Sequence, residues 1–500
     1  MSHHSFNVLT DPWIPVIGLD GSRKELGILS CLEQAPKLRE IRDPAPIVEF
    51  GLYRLLVAFV LDALILAGRR PEHISHLKNL IEKGCFEMNL FKDYANKCGD
   101  VFDLFHPERP FLQTRMYGKN SKSIAGLFPA VSSGTNVVLW YHEHEDDVWF
   151  SVEQAARLLT TIAPFMTAGG AGLSPSINGA PPLYVLPMGL NLFQTIVINI
   201  PLRTKQDRGD EPVAWRQTRV PGDERTHTTT VEALTWRPRC IQLVPDDDNR
   251  VREMYFTKGD STRLSWIDAN VAYKYEKDKV TPIRLRENRP PWRDIGPLTL
   301  LREDVYGRGT GDNKVAYQRP DVVQQAFEIS REDSDLTIQV YGMRTDQNMK
   351  IFEWIKSTWS VPAKLGQSTR LGSLVHHELQ RAESAARALR SSILELAPNF
   401  ERDSKSPVRN LADRCERAYW QRLESNFYPL MHGFASLDAN APDNPDLIAV
   451  TANGWRNAIK TLAIEQFEAA AADMDADSDA LERQVRARTR LERKLEEVIV

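Results

Sequence analysis

Four successive helical patterns near the carboxyl terminus constrain the fold of this chain more than any other feature. From about Pro362 onward, apolar residues recur at intervals of three and four, the spacing that places them on one face of an α-helix. Loops rich in proline, aspartate and asparagine separate the patterns. These patterns run through 371–396, 408–423, 455–467 and from Ser478 to the end of the sequence. Four such helices joined by polar loops predict an antiparallel four-helix bundle.

The sequence before this bundle mixes helical and strand-like patterns. An apolar helix is predicted from about Pro46 to Ala67, and Ser151 with Gln154 forms the capping box of another. The segments 191–200 and 234–243 are predicted to be strands, because β-branched and apolar residues dominate them. A chain of 500 residues is too long for one compact core. We therefore predict an α+β protein, with a large mixed domain over residues 1–361 and the bundle over 362–500.

A β-hairpin with a polar tip is predicted just before the bundle. Apolar and polar residues alternate from Leu336 to Tyr341, and an apolar segment resumes at Met349. The residues between, Thr345 to Asn348, favour a turn because Asp and Asn side chains bond their own backbone. A long uncharged side chain such as Gln347 on a rigid tip can insert between base pairs. Duplex DNA is thus a candidate ligand, and an ordinary solvated turn is the alternative.

Charge and cysteine usage narrow the classes of function. The formal net charge is −4, so any binding of nucleic acid must come from local basic patches. The five cysteines are scattered without a C-x-x-C pair, which favours a reducing compartment and no disulfide framework or structural zinc. Neither a targeting signal nor a clean membrane-spanning run is recognised. We expect a cytoplasmic protein without a cofactor or a membrane partner.

The last predicted helix carries a basic face opposite an apolar one. The apolar face comprises Leu481, Val485, Leu491, Leu495 and Val498. The basic face comprises Arg483, Arg486, Arg490, Arg493 and Lys494. Such a face could contact the phosphates of DNA. It could equally be a solvated face whose cations pair with neighbouring glutamates.

No motif of an enzyme is recognised with the spacing that its chemistry needs. The cluster from His142 to Asp146 has the composition of a metal site, although solvated loop residues explain it more simply. The glycine-rich segment 307–311 lacks the G-K-[ST] ending of a phosphate-binding loop. We expect a protein that is not an enzyme. Two alternatives stay open: a metal-dependent nucleic-acid hydrolase that uses the 142–146 cluster, and a structural scaffold that does not touch DNA.

Six segments occur in a characteristic order along the chain. They are Leu9-Thr-Asp-Pro-Trp-Ile-Pro-Val16, His106-Pro-Glu-Arg-Pro-Phe-Leu-Gln-Thr114, Val131-Ser-Ser-Gly-Thr-Asn136, the glycine loop 169–172, Trp236-Arg-Pro238 and the glutamine hairpin. In this order they resemble the CasA family, the large subunit of the type I-E CRISPR surveillance complex (Cascade). The resemblance spans nearly the whole chain and includes a carboxyl-terminal four-helix bundle. It implies a non-catalytic subunit of an antiviral RNA-guided complex. Such a subunit recognises the protospacer-adjacent motif (PAM) in duplex DNA from the minor groove and helps to open the duplex for R-loop formation.

The resemblance also implies partners. These are double-stranded target DNA, the CRISPR guide RNA, the other Cascade subunits (the backbone, small and 5′-handle-binding subunits) and a helicase-nuclease effector that the subunit helps to recruit.

Residues that match the family's motifs receive candidate roles from this resemblance. The glycine loop, whose backbone would enter the minor groove, is formed by Gly169, Gly170, Ala171 and Gly172. Gln347 matches the wedge inserted beneath the motif, and Asp346 and Asn348 flank it. Lys258 matches the minor-groove lysine loosely, with Arg263 and Lys274 as alternatives. The residues that would contact the 5′ handle of the guide RNA are Gly134, Thr135, Asn136, Leu139 and Trp140.

Overall fold

Two compact units make up the chain. The computed structural model describes residues 4–116, 121–128, 148–168, 172–209, 211–264, 266–276, 279–300, 302–306, 315–345, 351–398, 406–474 and 478–499. The first unit comprises Met1–Glu287, Glu303–Ser330 and Leu336–Ser360. The second comprises Asn288–Arg302, Arg331–Asp335 and Val361–Val500.

Helices occur in both units, and the long ones are concentrated in the second. Those of the first unit are α1 (Ile28–Gln34), α2 (Pro46–Leu66), α3 (Ile74–Glu82), α4 (Met88–Cys98), α5 (Val152–Leu159), α6 (Ile162–Phe165), α7 (Leu192–Ile198), α8 (Thr230–Leu234) and α9 (Asp321–Ile329). Those of the second are α10 (Ala363–Gln367), α11 (Thr369–Leu394), α12 (Pro407–Leu423), α13 (Phe427–Ala435), α14 (Pro445–Ala472) and α15 (Ser478–Ile499). With the strands below, this confirms the predicted α+β class.

The strands form several small sheets rather than one large sheet. They are β1 (Ile14–Gly18), β2 (Arg23–Leu26), β3 (Leu38–Ile41), β4 (Lys122–Ser123), β5 (Phe150–Ser151), β6 (Tyr184–Met188), β7 (Glu224–Arg225), β8 (Arg239–Pro245), β9 (Arg250–Lys258), β10 (Ser261–Thr262), β11 (Tyr273–Glu276), β12 (Lys279–Pro282), β13 (Arg302–Tyr306), β14 (Val315–Gln318), β15 (Asp335–Thr345) and β16 (Ile351–Pro362). The sheets are ordered β2-β1-β3, β10-β7, β12-β11-β14-β13, β16-β15-β6 and β4-β9-β5, with β8 paired to β9.

Helix α2 forms the centre of the first unit. It begins with Pro46, a residue suited to the first turn of a helix, and it is buried along nearly its whole length. Its polar side chains are therefore paired. Asp62 accepts from the Tyr94 hydroxyl at 2.6 Å, and Arg54 forms an ion pair with Asp268 at 2.9 Å. The predicted helix over 46–67 is confirmed as a core helix. Among the described helices, none is both long and apolar enough to cross a membrane.

One predicted strand is a helix. The segment 191–200 contains α7, and the Asn191 side chain caps it by accepting from the Gln194 N–H at 2.9 Å. Its buried residues Phe193, Ile196 and Val197 follow the spacing of a helix face. Tertiary burial and the asparagine cap outweigh the β propensity of Ile and Val here. In the segment 234–243, the strand begins only at Arg239.

The second unit contains the predicted four-helix bundle. Helix α11 packs against α12, α14 and α15, and α14 also contacts α12 and α15. An upstream segment joins it through Arg289 and Arg293, which both pair with Glu383 of α11 at 2.7 and 2.8 Å. Arg293 also lies 3.8 Å from the centre of the Trp420 ring. The bundle is thus completed by residues that precede it in sequence.

The apolar face predicted for α15 is wrong in part. Leu481 and Val485 are both 60% exposed, whereas Leu491 and Leu495 are fully buried as predicted. Ala480 and Ala487 are buried alongside these two leucines. Small alanines allow close helix packing, so the buried face is rotated away from the two leading apolar residues.

Candidate nucleic-acid interface

The predicted site residues fall into two groups. Those outside the described residues are Gly134, Thr135, Asn136, Leu139, Trp140, Gly169, Gly170, Ala171, Asp346, Gln347 and Asn348. The metal-like cluster from His142 to Asp146 also lies outside them. The described candidates are Gly172, Lys258 and the cations of α15. For the candidates in segments 129–147, 169–171 and 346–350, the structure describes the residues on either side of each segment.

Arg239, the first residue of β8, joins the two stems of the glycine loop. Its Nη2 donates to the Thr167 carbonyl at 2.7 Å, and its Nη1 donates to the Ser174 carbonyl. A second bond crosses the same base, from the Ser176 N–H to the Met166 carbonyl at 2.8 Å. The residues before and after 169–171 are therefore held together by one side chain and one main-chain bond.

The environment of Arg239 is unusual for a buried cation. Its side chain is buried, with the guanidinium 5.7 Å from the centre of the Phe256 ring, and its Nε has no hydrogen-bond partner. Within the described part of the chain, no carboxylate lies at ion-pairing distance from it. Burial lowers the pKa of Arg239 to about 10, so the group stays charged at neutral pH. Among the described residues, carbonyl dipoles and an aromatic face surround the positive charge at the base of this loop.

Lys258 lies at the end of β9, directly opposite Arg239 in the β8–β9 ladder. The turn between the strand and the next segment is tight, since the Gly259 N–H donates to the Pro238 carbonyl at 3.0 Å. A Cβ at Gly259 would lie 2.3 Å from the Arg237 carbonyl oxygen, so only glycine fits there. The close turn fixes the position of Lys258 relative to Arg239.

Lys258 is exposed and has no carboxylate within ion-pairing distance among the described residues. The two alternative cations differ in this respect. Arg263 pairs with Glu224 at 2.6 Å, and Lys274 pairs with Glu276 at 2.8 Å. Gly172 is also exposed, and its φ of +80° is a conformation that favours glycine. This comparison favours Lys258 as the cation that is free to contact an anion.

The glutamine hairpin is attached to the core by a buried polar cluster. The Tyr341 hydroxyl of β15 lies 2.7 Å from Glu49 Oε1 and 2.6 Å from Gln339 Oε1. Lys356 of β16 pairs with the same Glu49 carboxylate of α2. Burial raises the pKa of Glu49 despite the opposing effect of Lys356. Both strands of the hairpin are thereby connected to the central helix.

Nearer the tip, the two strands are joined by an ion pair. Arg344 Nε lies 2.7 Å from Glu353 Oε1. The strands extend to Thr345 and Ile351, so the connection that contains Gln347 comprises only residues 346–350.

Aromatic contacts connect the flanks of segment 129–147 to this hairpin. Phe128 stacks on Trp354 of β16, with ring centroids 5.8 Å apart and planes 25° apart. Phe150, which follows the segment, meets Phe128 edge-on at 6.0 Å. The residues that flank the segment predicted to contact the guide RNA therefore share one aromatic cluster with a strand of the hairpin predicted to contact DNA. Phe128 and Trp354 are more than two hundred residues apart in the sequence, so no local pattern indicates their contact.

The cations of α15 are largely engaged with nearby groups. Arg490 pairs with Glu395 at 2.6 Å, Arg493 with Glu497 at 3.9 Å, and Arg486 with Glu482 one turn away. Arg483 donates to the Leu396 carbonyl at 3.1 Å. This arrangement favours the predicted alternative of a solvated face paired with glutamates. The phosphate-contact hypothesis for α15 stays a prediction.

Comparison with known proteins agrees with the resemblance noted from the motifs. Residues 7–466 match the family described as CRISPR-associated protein Cse1. The CRISPR-associated protein CasA/Cse1 of Thermus thermophilus is 29% identical over 502 residues, which cover 94% of this chain and 93% of that protein. A crystal structure of CasA from the same organism superposes with a TM-score of 0.79 at 24% identity, covering 99% of this chain and 100% of that one.

A chain of a structure described as a CRISPR RNA-guided surveillance complex also shares the fold. Its TM-score is 0.75 at 18% identity, and the match covers 98% of this chain and 100% of that one. The family match extends over most of the sequence and includes both units. The chain belongs to the CRISPR-associated Cse1 family, the CasA family that its motifs resemble.

Proposed function

We propose that this protein is the PAM-reading, duplex-opening large subunit of an RNA-guided surveillance complex. In this role the glycine loop 169–172 and Lys258 contact the minor groove of motif-bearing duplex DNA. Gln347, flanked by Asp346 and Asn348, inserts beneath the motif and separates the first base pairs. The protein performs no catalysis, and it supports recruitment of the helicase-nuclease once the duplex is open.

The observation that carries this proposal is the geometry of the hairpin. Two strands of 11 and 12 residues converge on a connection of five residues that contains Gln347. Tyr341 and Lys356, near the middle of these strands, contact Glu49 of buried α2, so the arms of the hairpin are fixed to the core. A wedge must offset an unstacking cost of a few kcal/mol, which requires a rigid support.

The minor groove suits a glycine loop and a single lysine. Its edges distinguish A·T from G·C pairs only coarsely, so backbone groups and one cation are adequate readers of a short motif. Glycines bring main-chain N–H groups close to the base edges. Guide-RNA contact is assigned to Gly134, Thr135, Asn136, Leu139 and Trp140, through stacking and contacts to the single-stranded handle.

The test of the wedge is Gln347→Ala in the complex reconstituted with guide RNA. R-loop formation on a motif-bearing duplex should slow by about tenfold or more, because the unstacked step loses its inserted partner. A target with a pre-opened bubble should restore the rate. Gln380→Ala, which alters an exposed glutamine on α11, serves as the matched control. Unchanged R-loop formation with Gln347→Ala on the duplex would refute the proposal.

A further inference from the structure

We infer that Arg239 is the positioning residue of the glycine loop, holding its two stems at the separation that the loop needs to enter the minor groove. This inference rests on the proposed function and names the residue on which motif reading depends. Arg239 itself is buried and need not touch DNA. It acts through Thr167 and Ser174, whose carbonyls it bridges.

The shape of a guanidinium is what this role requires. Its N–H groups lie in one plane and diverge, so two of them can serve carbonyls on separate stems at the same time. A lysine ammonium at this position would keep the charge, but it is a point donor on a flexible stem. The conservative variant Arg239→Lys therefore separates the bridging geometry from the charge.

Bridging the stems prepares the loop for binding. A loop whose stems are free must be ordered when DNA binds, and fixing even one backbone residue costs about a factor of ten in affinity. The bond between the Ser176 N–H and the Met166 carbonyl joins the two stems through the main chain. Arg239 adds a side-chain connection between the stems, to residues that lie 72 and 65 positions away from it.

The position of Arg239 also links the loop to Lys258. The two residues face each other at the end of the β8–β9 ladder, and the Gly259 turn fixes this pairing. One strand pair therefore sets both the stem separation and the location of the free lysine. We call the hydrogen bonds from Arg239 to Thr167 and Ser174 the Arg239 clamp. Loss of this clamp should impair recognition of the duplex motif and leave later pairing between guide and target unaffected.

The experiment compares three variants of the full chain in the complex reconstituted with guide RNA. Arg239→Met removes the clamp, and Arg239→Lys retains the charge. Arg370→Lys is the matched control, since Arg370 of α11 also donates to a main-chain carbonyl, that of Asp438, at 3.0 Å within the second unit. Affinity is measured for a motif-bearing duplex, for the same duplex with the motif scrambled, and for a pre-opened target. Hydrogen exchange of residues 166–176 is measured in parallel.

Arg239→Met should weaken binding to the motif-bearing duplex by about tenfold or more and change binding to the pre-opened target by less than about twofold. Arg239→Lys should give an intermediate loss and carries the test if the Met variant does not fold. Both should exchange faster at 166–176, whereas Arg370→Lys should not. An equal loss on duplex and open targets, or motif preference unchanged in both Arg239 variants, would overturn the clamp. Absence of any motif preference in the wild-type complex would instead refute the proposed function itself.

Discussion

The base of the glycine loop and the outer face of α15 both carry arginines, yet their guanidinium groups are bonded in different ways. On α15, Arg486, Arg490 and Arg493 each face a glutamate. At the loop, the partners of Arg239 among the described residues are carbonyl oxygens, and Arg239 lies opposite the exposed Lys258. Three cations of the α15 stripe are thus paired with carboxylates, while Arg239 and Lys258 have no carboxylate at ion-pairing distance among the described residues.

This difference explains why charge composition is a poor guide to a DNA-binding surface. A cation paired with a carboxylate must break that pair to bind a phosphate, and the exchange yields little net free energy. A cation held by carbonyl dipoles has no competing anion. The following predictions test whether this difference in pairing controls stability and binding.

The largest effect is expected for Arg54→Met, which removes the partner of buried Asp268. Leaving that carboxylate buried without its ion pair should lower the free energy of unfolding by about 3–5 kcal/mol. Arg239→Met leaves carbonyls but no carboxylate unpaired, so its cost should be about 1–3 kcal/mol. Urea unfolding of the two purified variants measures both. Equal losses would mean that Arg239 has an anionic partner after all.

The same ion pair predicts a reversal in the pH dependence of stability. Burial acts to raise the pKa of Asp268, but the charge of Arg54 and hydrogen bonds hold it below its ordinary value. The stabilisation is therefore present above about pH 4, the unfolded value, and is lost as the pH falls further. In Arg54→Met, burial dominates and raises this pKa, so stability should instead decline as the pH rises above about 4. Unfolding measured at a series of pH values in both proteins checks the sign, and parallel curves would contradict it.

Lys258→Ala should weaken binding to the motif-bearing duplex by about 1–2 kcal/mol, the value of one direct groove contact. The loss should be smaller on a scrambled motif. Lys83→Ala, which removes an exposed lysine already paired with Glu87, is the matched control and should change affinity little. Equal affinities of wild type and Lys258→Ala would indicate that Arg263 or Lys274, and not Lys258, contacts the minor groove.

The smallest effect is expected on α15. The triple variant Arg486→Gln, Arg490→Gln and Arg493→Gln should change the free energy of unfolding by less than about 1 kcal/mol per pair, because these pairs are exposed. The dependence of DNA affinity on salt should keep its slope, since each lost phosphate contact would reduce it by about 0.9. A slope reduced by two or more would show that α15 binds phosphates although its arginines are paired with glutamates.

Much of the fold follows from local patterns. The apolar repeats predict α11, α12, α14 and α15, and Pro46 begins the central helix as expected. The Ser151 capping box is present, with Ser151 N–H donating to Gln154 Oε1 at 3.0 Å. The strand assignment at 191–200 failed because its apolar residues fit either element, and the Asn191 cap decided for a helix. Short apolar runs lack the length that distinguishes the two.

The candidate site was predictable only as separate segments. The glycine loop, the glutamine hairpin and Lys258 are recognisable from motifs. Arg239 is not, although it follows the recognised Trp236-Arg-Pro238 motif directly, because its role depends on carbonyls of Thr167 and Ser174.

Local sequence patterns specify the helices of the bundle, the arms of the hairpin and the family to which the chain belongs, since periodicity, caps and ordered motifs depend on neighbouring residues. Tertiary structure alone decided which face of α15 is buried, which cations are neutralised and which side chain bridges the glycine loop. Those outcomes depend on burial and on hydrogen bonds between residues far apart in the chain, and such contacts exist only once the chain has folded.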